Sequence, residues 1–164
     1  MCYFNLMIRA VFPGTFDPPT NGHLNIIERT CKIFDSLDVV VACNPQKKCL
    51  FSEEERLSMM KKLTEHLPNV NVFVWDKLIV DFLKEKKSNV LIRGIRNSND
   101  FAYEFDLSLM NHALCSDVET LFIPTLSEYS IIKSSSIKEL AAFGGDISKM
   151  VPPLVLELIK EKLS

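Results

Sequence analysis

The sequence predicts an α/β fold with a five-stranded parallel sheet held between two layers of helices. Apolar segments with the spacing of strands alternate along the whole chain with segments that have the 3.6-residue period of helices. Residues 37–43 (LDVVVAC) form a nearly continuous apolar run, which is typical of a strand buried on both faces of a parallel sheet. A length of 164 residues, with no internal repeat or linker, favours a single domain spanning residues 1–164.

The individual elements follow from local signals. Apolar residues recur at helical spacing from Leu24 to Phe34, so a helix is predicted over residues 22–36. Ser52 and Glu55 have the spacing of a capping box, which marks the start of the second helix. The predicted strands are residues 7–12, 37–43, 70–75, 89–92 and 118–123. The other helices are predicted over residues 78–87, from about residue 99, from within 134–136, and from the prolines at 152–153.

Composition and charge narrow the classes of function. The net charge is -2 and the pI is about 5.9, which argues against a general nucleic-acid binder because such proteins are usually basic. No apolar run approaches the roughly 20 residues that a membrane span needs, and the first residues lack the features of a signal peptide. We therefore expect no nucleic-acid partner, no membrane partner and a cytoplasmic location. Residues 1–6 are interpreted as a short extension, and the sequence leaves open whether translation starts at Met1 or Met7.

The cysteines are predicted to be free thiols in a reducing compartment. Their number is odd, and no pair has Cys-x-x-Cys spacing. They are Cys2, Cys31, Cys43, Cys49 and Cys115. The three histidines (His23, His66 and His112) do not cluster with them, so no zinc site is expected.

Residues 13–23 (PGTFDPPTNGH) are the most informative segment of the sequence. They follow the first predicted strand and precede the first predicted helix, so they form a strand-to-helix turn. Such a turn exposes backbone N–H groups at the positive end of a helix dipole, where phosphates bind. Gly22 allows close approach of the backbone, His23 supplies a donor, and the hydroxyl and N–H of Thr15 can hold a second phosphate. Asp17 lies between two turn-forming residues, and we interpret it as structural.

Two further motifs carry groups that suit phosphates. Residues 93–96 (RGIR) are predicted to follow the fourth strand directly, and a planar guanidinium matches phosphate oxygens. Residues 129–136 (YSIIKSSS) would bring hydroxyls and free N–H groups to a helix start. The competing interpretations are a surface ion pair for the arginines and simple helix capping for the serines. All three motifs fall at strand ends or helix starts, where parallel sheets bind ligands, which favours one site for nucleotide phosphates.

Together the three motifs resemble those of the bacterial phosphopantetheine adenylyltransferases, which belong to the nucleotidyltransferase superfamily with the (H/T)-x-G-H signature. The resemblance covers nearly the whole chain from Met7 onward. It implies a Rossmann-like three-layer domain that transfers the adenylyl group of ATP to 4′-phosphopantetheine. The products would be dephospho-coenzyme A and pyrophosphate, in the penultimate step of coenzyme A biosynthesis, by in-line displacement without a covalent intermediate. Thr20, where many relatives have histidine, favours this branch over the nicotinamide-mononucleotide and cytidylyl enzymes.

The resemblance also implies roles for individual residues. His23, Lys47 and Arg93 would be catalytic, with His23 stabilising the transition state and Lys47 binding the substrate phosphate. The residues implied to contact 4′-phosphopantetheine are Thr15, Lys47, Ile79, Arg93 and Asn111. The residues implied to contact ATP are Thr15, Phe16, His23, Gly94, Ile95, Arg96, Glu104, Tyr129, Ser130, Ile131, Ile132, Lys133, Ser134 and Ser135.

Three further properties are implied by the resemblance. These are Mg²⁺ that arrives with ATP and is held largely by phosphates and water, feedback binding of coenzyme A, and a homohexamer. One position departs from the family, because Lys133 stands where the first of the serines is usual. This leaves open which serine takes which role, and whether Lys133 adds charge near the triphosphate or points to solvent.

Three other functions are weighed against this interpretation. A sister nucleotidyltransferase that uses nicotinamide mononucleotide or pantoate is disfavoured by Thr20, by residues 93–96 and by the short chain. A non-catalytic module that senses ATP or coenzyme A is disfavoured by the presence of His23, Lys47 and Arg93. An RNA-binding relative of the aminoacyl-tRNA synthetases is disfavoured by the net acidity and by the missing anticodon domain.

Overall fold

Five strands and six α-helices make up the protein in a computed structural model that describes residues 7–44 and 48–163. The strands are β1 (Arg9–Gly14), β2 (Ser36–Ala42), β3 (Val70–Trp75), β4 (Val90–Ile95) and β5 (Glu119–Pro124). The helices are α1 (Asn21–Thr30), α2 (Glu53–Thr64), α3 (Ile79–Lys86), α4 (Ser98–Leu114), α5 (Ser134–Ala142) and α6 (Pro153–Leu163), with a 3₁₀ turn at Ser127–Tyr129. The predictions for Lys47 and for residues 1–6 lie outside the described residues.

The five strands form one sheet in the order β3-β2-β1-β4-β5, and every neighbouring pair is parallel. The predicted α/β class with a five-stranded parallel sheet is therefore confirmed. The chain proceeds outward from β1 to β3, then returns to the other side of β1 for β4 and β5. The loops that leave β1 and β4 consequently diverge at the carboxyl edge of the sheet, and this opens a crevice between them.

Each face of the sheet is covered by its own helices. On one face, α1 and α2 pack through Ile27 and Met60 against Val39 and Val41 of β2. On the other face, α3 packs against Val40 of β2 and against the neighbouring strands β1 and β4. Successive residues of β2 thus enter opposite cores, and this explains why residues 37–43 form an apolar run instead of alternating with polar residues.

A third apolar cluster joins the C-terminal helices to the rest of the protein. Ile137 of α5 packs with Val155 and Ile159 of α6 and with Met59 of α2, and all four are buried. This cluster fixes α5 beside the carboxyl edge of the sheet. The first turn of α5 therefore faces the crevice between β1 and β4.

The helix predicted over residues 22–36 is shorter than expected. Helix α1 ends at Thr30, and a turn follows in which Thr30 accepts from the N–H groups of Ile33 and Phe34. The carbonyl of Ile8 then accepts from the N–H of Asp35, so the chain is already aligned with β1. The apolar spacing continues past the helix because Phe34, in the turn, still packs against the same core as α1.

The fourth strand is longer than predicted and includes part of the RGIR motif. Arg93 and Gly94 pair in register with Phe122 and Ile123 of β5, so the prediction that the motif follows the strand directly is wrong for its first three residues. An arginine and a glycine suggest a strand end, but ladder hydrogen bonds to β5 extend the strand to Ile95. Gly94 is needed for space, because a Cβ there would clash with the Cδ1 of Ile26 on α1.

Across the described residues, none of the helices is both long enough and apolar enough to cross a membrane.

Candidate active site

A cleft of about 350 Å³ opens at the carboxyl edge of the sheet. It lies between the turn that follows β1, the end of β4, and the segment from the 3₁₀ turn into α5. The sequence-predicted residues that line it are Thr15, Phe16, His23, Arg93, Gly94, Arg96, Glu104, Tyr129, Ile132, Lys133, Ser134 and Ser135. The three motifs, which are distant in sequence, therefore meet in one place.

Other predicted site residues in the described part of the chain do not line this cleft. They are Ile79, Ile95, Asn111, Ser130 and Ile131. Ile79 packs against the core on the α3 face of the sheet, whereas Ile131 is 77% exposed. Lys47 lies outside the described residues. The functional roles of all these residues stay predictions.

The first turn of α1 holds His23 by a reciprocal capping arrangement. The Oγ1 of Thr20 accepts from the N–H of His23 at 3.2 Å, and the Nδ1 of His23 accepts from the N–H of Thr20 at 3.1 Å. Since Nδ1 is an acceptor here, the proton of the neutral ring lies on Nε2. The capping role and the proposed catalytic role are thus compatible, because they use different nitrogens of the same ring.

The charge state of His23 follows from its surroundings. Burial, and next the guanidinium charges of Arg96 and Arg93, lower the pKa of His23 from 6.5 to about 4. The ring is therefore neutral at physiological pH, and its Nε2–H is available as an uncharged donor. Phe16 supports it, with its ring edge-on to the imidazole at a centroid distance of 5.0 Å.

Arg93 of β4 is held in a fixed orientation by a bidentate ion pair. Its Nε and Nη2 donate to the two carboxylate oxygens of Glu104 at 2.6 and 2.5 Å, and its Nη1 donates to the carbonyl of Pro13 at 3.1 Å. The ion pair that the sequence interpretation treated as an alternative is therefore present, with its partner inside the cleft. A guanidinium has five N–H donors, so two remain for a ligand.

Arg96 is held in a similar way from the loop that follows β4. Its Nε and Nη2 donate to Asp100 at 2.6 and 3.1 Å, and its Nη1 donates to the carbonyl of Ile132 at 3.0 Å. The last of these bonds connects the β4 loop to the segment that leads into α5. Arg96 therefore joins two walls of the cleft in addition to contributing charge.

Asp17 connects the signature turn to two other parts of the site. Its side chain is 1% exposed and accepts from the backbone N–H groups of Leu50 and Phe51 and from the Nζ of Lys138 at 2.6 Å. Burial alone would raise the pKa of Asp17. The hydrogen bonds from Lys138, Phe51 and Leu50 outweigh burial and lower the pKa below its usual value. Asp17 is thus an ionised structural anchor.

The first turn of α5 is open toward the cleft. Its N-cap residue is Lys133, which makes no side-chain capping bond, and the Oγ of Ser134 instead donates to the carbonyl of Pro18 at 2.9 Å. The N–H groups of the first turn therefore have no intrahelical acceptor and no capping side chain. This arrangement is suited to an anion with several oxygens.

Sequence reasoning missed two residues of the site. Lys138 lines the cleft, and Arg56, which is 2% exposed, donates to the carbonyl of Thr15 beneath it. Lys138 could have been found from its spacing, since it follows Ser134 by four residues and so lies on the same helix face. Arg56 gives no such signal, because an arginine in the middle of a predicted helix is ordinarily exposed.

No group of three metal-ligating side chains comes together within residues 7–44 and 48–163. The carboxylates at the cleft, Asp17 and Glu104, are each committed to a cation. These side chains are therefore suited to organising cations, and they do not form a cage for a metal ion.

Comparison with known proteins identifies the class to which this fold and cleft belong, the nucleotidyltransferases. The sequence profile of the family described as cytidylyltransferase-like matches residues 11–140. A solved structure from Vibrio parahaemolyticus described as a nicotinate-nucleotide adenylyltransferase superposes with a TM-score of 0.71 at 20% identity, covering 96% of this chain and 95% of the other. At that identity the likeness shows the fold alone.

Closer relatives identify the branch. Two phosphopantetheine adenylyltransferases of Clostridium botulinum, from strain 657 / Type Ba4 and strain Langeland / NCTC 10281 / Type F, are 49% and 48% identical to this chain over 158 residues. In each comparison 96% of both chains is covered. The chain belongs to the phosphopantetheine adenylyltransferase family, as its sequence motifs indicated.

Proposed function

We propose that this protein transfers the adenylyl group of ATP to 4′-phosphopantetheine and releases dephospho-coenzyme A and pyrophosphate, the penultimate step of coenzyme A biosynthesis. The observation that carries the proposal is the meeting of three donor sets at one cleft. These are the neutral imidazole of His23, the oriented guanidinium groups of Arg93 and Arg96, and the open first turn of α5. The relatives at 49% and 48% identity support the same reaction.

The proposed reaction is a direct displacement at the α-phosphorus of ATP. A phosphate of the acceptor is already ionised at neutral pH, so it needs no general base. The Nε2–H of His23 would donate to a non-bridging α-phosphate oxygen, where negative charge grows in the transition state. A neutral donor whose ring is fixed through Nδ1 requires no reorganisation when that charge develops.

The remaining parts of the cleft would hold the leaving and attacking groups. The N–H groups and hydroxyls at the start of α5 would bind the β- and γ-phosphates, which leave as pyrophosphate. Arg93, Thr15 and Lys47 would hold the acceptor phosphate in line with the scissile bond. Mg²⁺ bound to the triphosphate would neutralise part of its charge, with phosphates and water as its ligands.

The direct test is a pyrophosphate-release assay with ATP, magnesium and one acceptor at a time. We expect turnover with 4′-phosphopantetheine and a product with the mass of dephospho-coenzyme A. Turnover only with nicotinamide mononucleotide or pantoate would instead identify a sister enzyme. Binding of ATP without turnover on any acceptor would identify a sensor.

The stereochemical course tests the in-line step separately. With a single diastereomer of ATP that carries sulfur on the α-phosphorus, one displacement inverts the configuration. We expect inversion. Retention would mean two displacements and therefore a covalent intermediate on the enzyme.

We also propose that the chain forms a homohexamer, and helix α4 supports self-association. None of its 17 residues is buried in the single chain, although several are large and apolar. They are Phe101, Tyr103, Phe105, Leu109, Met110 and Leu114. Exposed apolar side chains in this number on one helix are typical of a protein interface. Light scattering should give six times the chain mass of 18.7 kDa, and a monomer would contradict the proposal.

Feedback binding of coenzyme A and a cytoplasmic location complete the proposal. Coenzyme A contains the whole structure of the product, so it should compete for the same cleft and inhibit the enzyme. Absence of inhibition at millimolar coenzyme A would contradict the proposed feedback binding. Cys31, Cys43, Cys49 and Cys115 are unpaired thiols in the described structure, which is consistent with a reducing compartment.

A further inference from the structure

Arg56 is a buried cation at the base of the cleft that the proposed mechanism does not use. It lies on α2 and is 2% exposed. Its Nη1 donates to the carbonyl of Thr15 at 2.7 Å and to the carbonyl of Ala42 at 3.1 Å. Its Nε is also buried, and no acceptor in the described part of the chain pairs with it. A buried charge with an unsatisfied donor is costly, so its retention calls for an explanation.

Arg56 differs from the two arginines that line the cleft. Arg93 and Arg96 each have a carboxylate partner, whereas no carboxylate among the described residues forms an ion pair with Arg56. Its Nη1 is instead bound by two carbonyls at the ends of two neighbouring strands, and the Cys43 side chain also interacts with the guanidinium. Arg56 thereby holds the residue that follows β1 against the last residue of β2.

The bond to Thr15 determines which way the next peptide N–H points. The peptide between Thr15 and Phe16 is trans, so its carbonyl and its N–H point in opposite directions. Since Arg56 binds the carbonyl from the α2 side, the N–H of Phe16 is directed away from α2. No acceptor in the described residues pairs with that N–H, which leaves it for a ligand in the cleft that Phe16 lines.

The backbone at Phe16 needs such a restraint. Its φ is 50°, in the left-handed region, which a residue with a side chain adopts only when its surroundings hold it there. The Phe16 ring is 1% exposed and contacts the imidazole of His23. A change in the turn would therefore reach both the N–H of Phe16 and the ring of His23.

We propose that Arg56 is a positioning residue for nucleotide phosphate: it holds the Thr15 carbonyl and so presents the Phe16 N–H and the His23 ring to ATP. The proposal rests on the function proposed above, since it takes ATP as the ligand. Arg56 lies beneath the turn and does not itself contact the substrate in this proposal.

The test compares two substitutions of Arg56 with a core substitution on the same helix. Arg56→Met removes the hydrogen bonds to both carbonyls. Arg56→Lys keeps the positive charge, but its ammonium group can reach fewer of these acceptors. Met60→Ala is the control, because Met60 is fully buried in the core four residues further along α2 and its side chain makes no hydrogen bond to the turn. Thermal unfolding of each variant fixes a temperature at which all are folded, and kcat and KM for ATP are measured there.

We expect Arg56→Met to lower kcat/KM for ATP about 30-fold or more, as loss of charge-assisted hydrogen bonds would, and Arg56→Lys to lower it about 5-fold. The kcat/KM of Met60→Ala for ATP should remain within about 3-fold of the parent value, even if this variant unfolds at a lower temperature. A folded Arg56→Met variant with the parent kcat/KM would overturn the proposal, as would an equal loss in Met60→Ala. If Arg56→Met does not fold, an unchanged kcat/KM in Arg56→Lys overturns it.

Binding of ATP without turnover separates this proposal from the proposed function. If the parent protein transfers no adenylyl group to 4′-phosphopantetheine, the function fails while the positioning role can still be measured by calorimetry with ATP and magnesium. Weaker ATP binding in Arg56→Met, with parent affinity in Met60→Ala, would support the role of Arg56. Equal ATP affinity in all variants would contradict it.

Discussion

Helices α1 and α5 both begin at the cleft, yet their first turns are built in opposite ways. In α1 the Thr20 and His23 side chains and N–H groups satisfy one another. In α5 the N-cap Lys133 makes no side-chain capping bond, and Ser134 turns away to the carbonyl of Pro18. One helix start therefore delivers a single aimed donor, and the other leaves several backbone donors for an anion.

This difference matches the two kinds of charge in the proposed reaction. Charge on the α-phosphate increases only in the transition state, so one rigid donor at that point favours catalysis. The leaving pyrophosphate carries several charges before and after the reaction, so a set of donors at α5 favours binding. Changes at α1 should thus affect kcat, and changes at α5 should affect the KM for ATP.

The largest effect on kcat is expected from substitution of His23, the single donor that α1 presents to the cleft. His23→Ala should lower kcat by about 10²- to 10³-fold, because it removes one preorganised donor to the transition state, and the affinity for ATP should change little. Steady-state kinetics and calorimetry with ATP measure the two quantities. Thr20→Ala is the matched control, since it removes the capping hydroxyl but keeps the imidazole and the bond that its Nδ1 accepts from the backbone N–H of residue 20. Equal turnover in His23→Ala and the parent would remove His23 from its role.

The charge of His23 gives the next effect. Burial, and next the charges of Arg96 and Arg93, lower the pKa of His23 to about 4. Between pH 6.5 and 4 the imidazole therefore stays neutral in the folded protein, whereas it binds a proton in the unfolded chain. Stability should therefore fall as the pH decreases from 6.5 to 4, by at most about 1.4 kcal/mol per pH unit from this group. NMR titration of the imidazole should show no protonation between pH 6 and 8.

Binding of ATP should change the pKa of His23 in the opposite direction to burial. Phosphate charge near the ring favours the protonated form, so the pKa of His23 should rise in the complex. An imidazole that titrates near pH 6.5 without nucleotide would contradict the neutral, capped donor. A pKa unchanged by ATP would place the phosphates away from α1.

The connection between the two helix starts gives the third effect. Lys138 on α5 donates to Asp17 beside α1, and Asp17 is buried. Lys138→Met should lower the free energy of unfolding at pH 7 by about 2 kcal/mol, because a buried carboxylate loses a charged partner. The matched control is Lys162→Met, which breaks an exposed pair with Glu55 of the same 2.6 Å length and should cost less than about 0.5 kcal/mol.

The pH dependence of that effect also has a definite sign. The pKa of Asp17 lies below 3.8, since the hydrogen bonds from Lys138, Phe51 and Leu50 outweigh burial, so its ionised form stabilises the fold above pH 3.8. This stabilisation is lost as the pH falls through the folded-state pKa. In Lys138→Met the acid limb of the stability curve should move to higher pH. Urea unfolding at several pH values tests this, and identical curves for variant and parent would contradict it.

The smallest effect is expected at the open helix start. Ser135→Ala should raise the KM for ATP by about 5- to 10-fold, because one hydroxyl donor to the triphosphate is lost, and should leave stability nearly unchanged. Ser52→Ala provides the reverse case, since Ser52 caps α2 by accepting from Glu55, and it should cost about 1 kcal/mol of stability without affecting KM. If Ser135→Ala lost stability like Ser52→Ala, the serines would be caps.

The fold and much of the site could be predicted because their signals are local. The apolar run of β2, the capping box at Ser52 and the turn after β1 each depend on a few neighbouring residues. Strand ends were less predictable, since β4 continues through Arg93 by pairing with β5, which is not visible in its own sequence. The end of α1 depends in the same way on the contact of the following turn with β1.

Two of the ion pairs at the cleft could not be predicted. The pairs Arg93 with Glu104 and Lys138 with Asp17 join residues that are distant in sequence or on different elements, and spacing alone does not select them among many carboxylates. The buried position of Arg56 was missed because its role depends on two carbonyls at strand ends. Such contacts are products of the topology, so they become visible only once the strands are ordered.

The most direct test of this account is a crystal structure of the protein with magnesium and an ATP analogue that has a methylene group between the α- and β-phosphates. We predict an α-phosphate oxygen within about 3 Å of the Nε2 of His23, with the β- and γ-phosphates on the N–H groups of the first turn of α5. A triphosphate bound elsewhere, or reversed so that its γ-phosphate lies at His23, would contradict the separate roles assigned to the starts of α1 and α5.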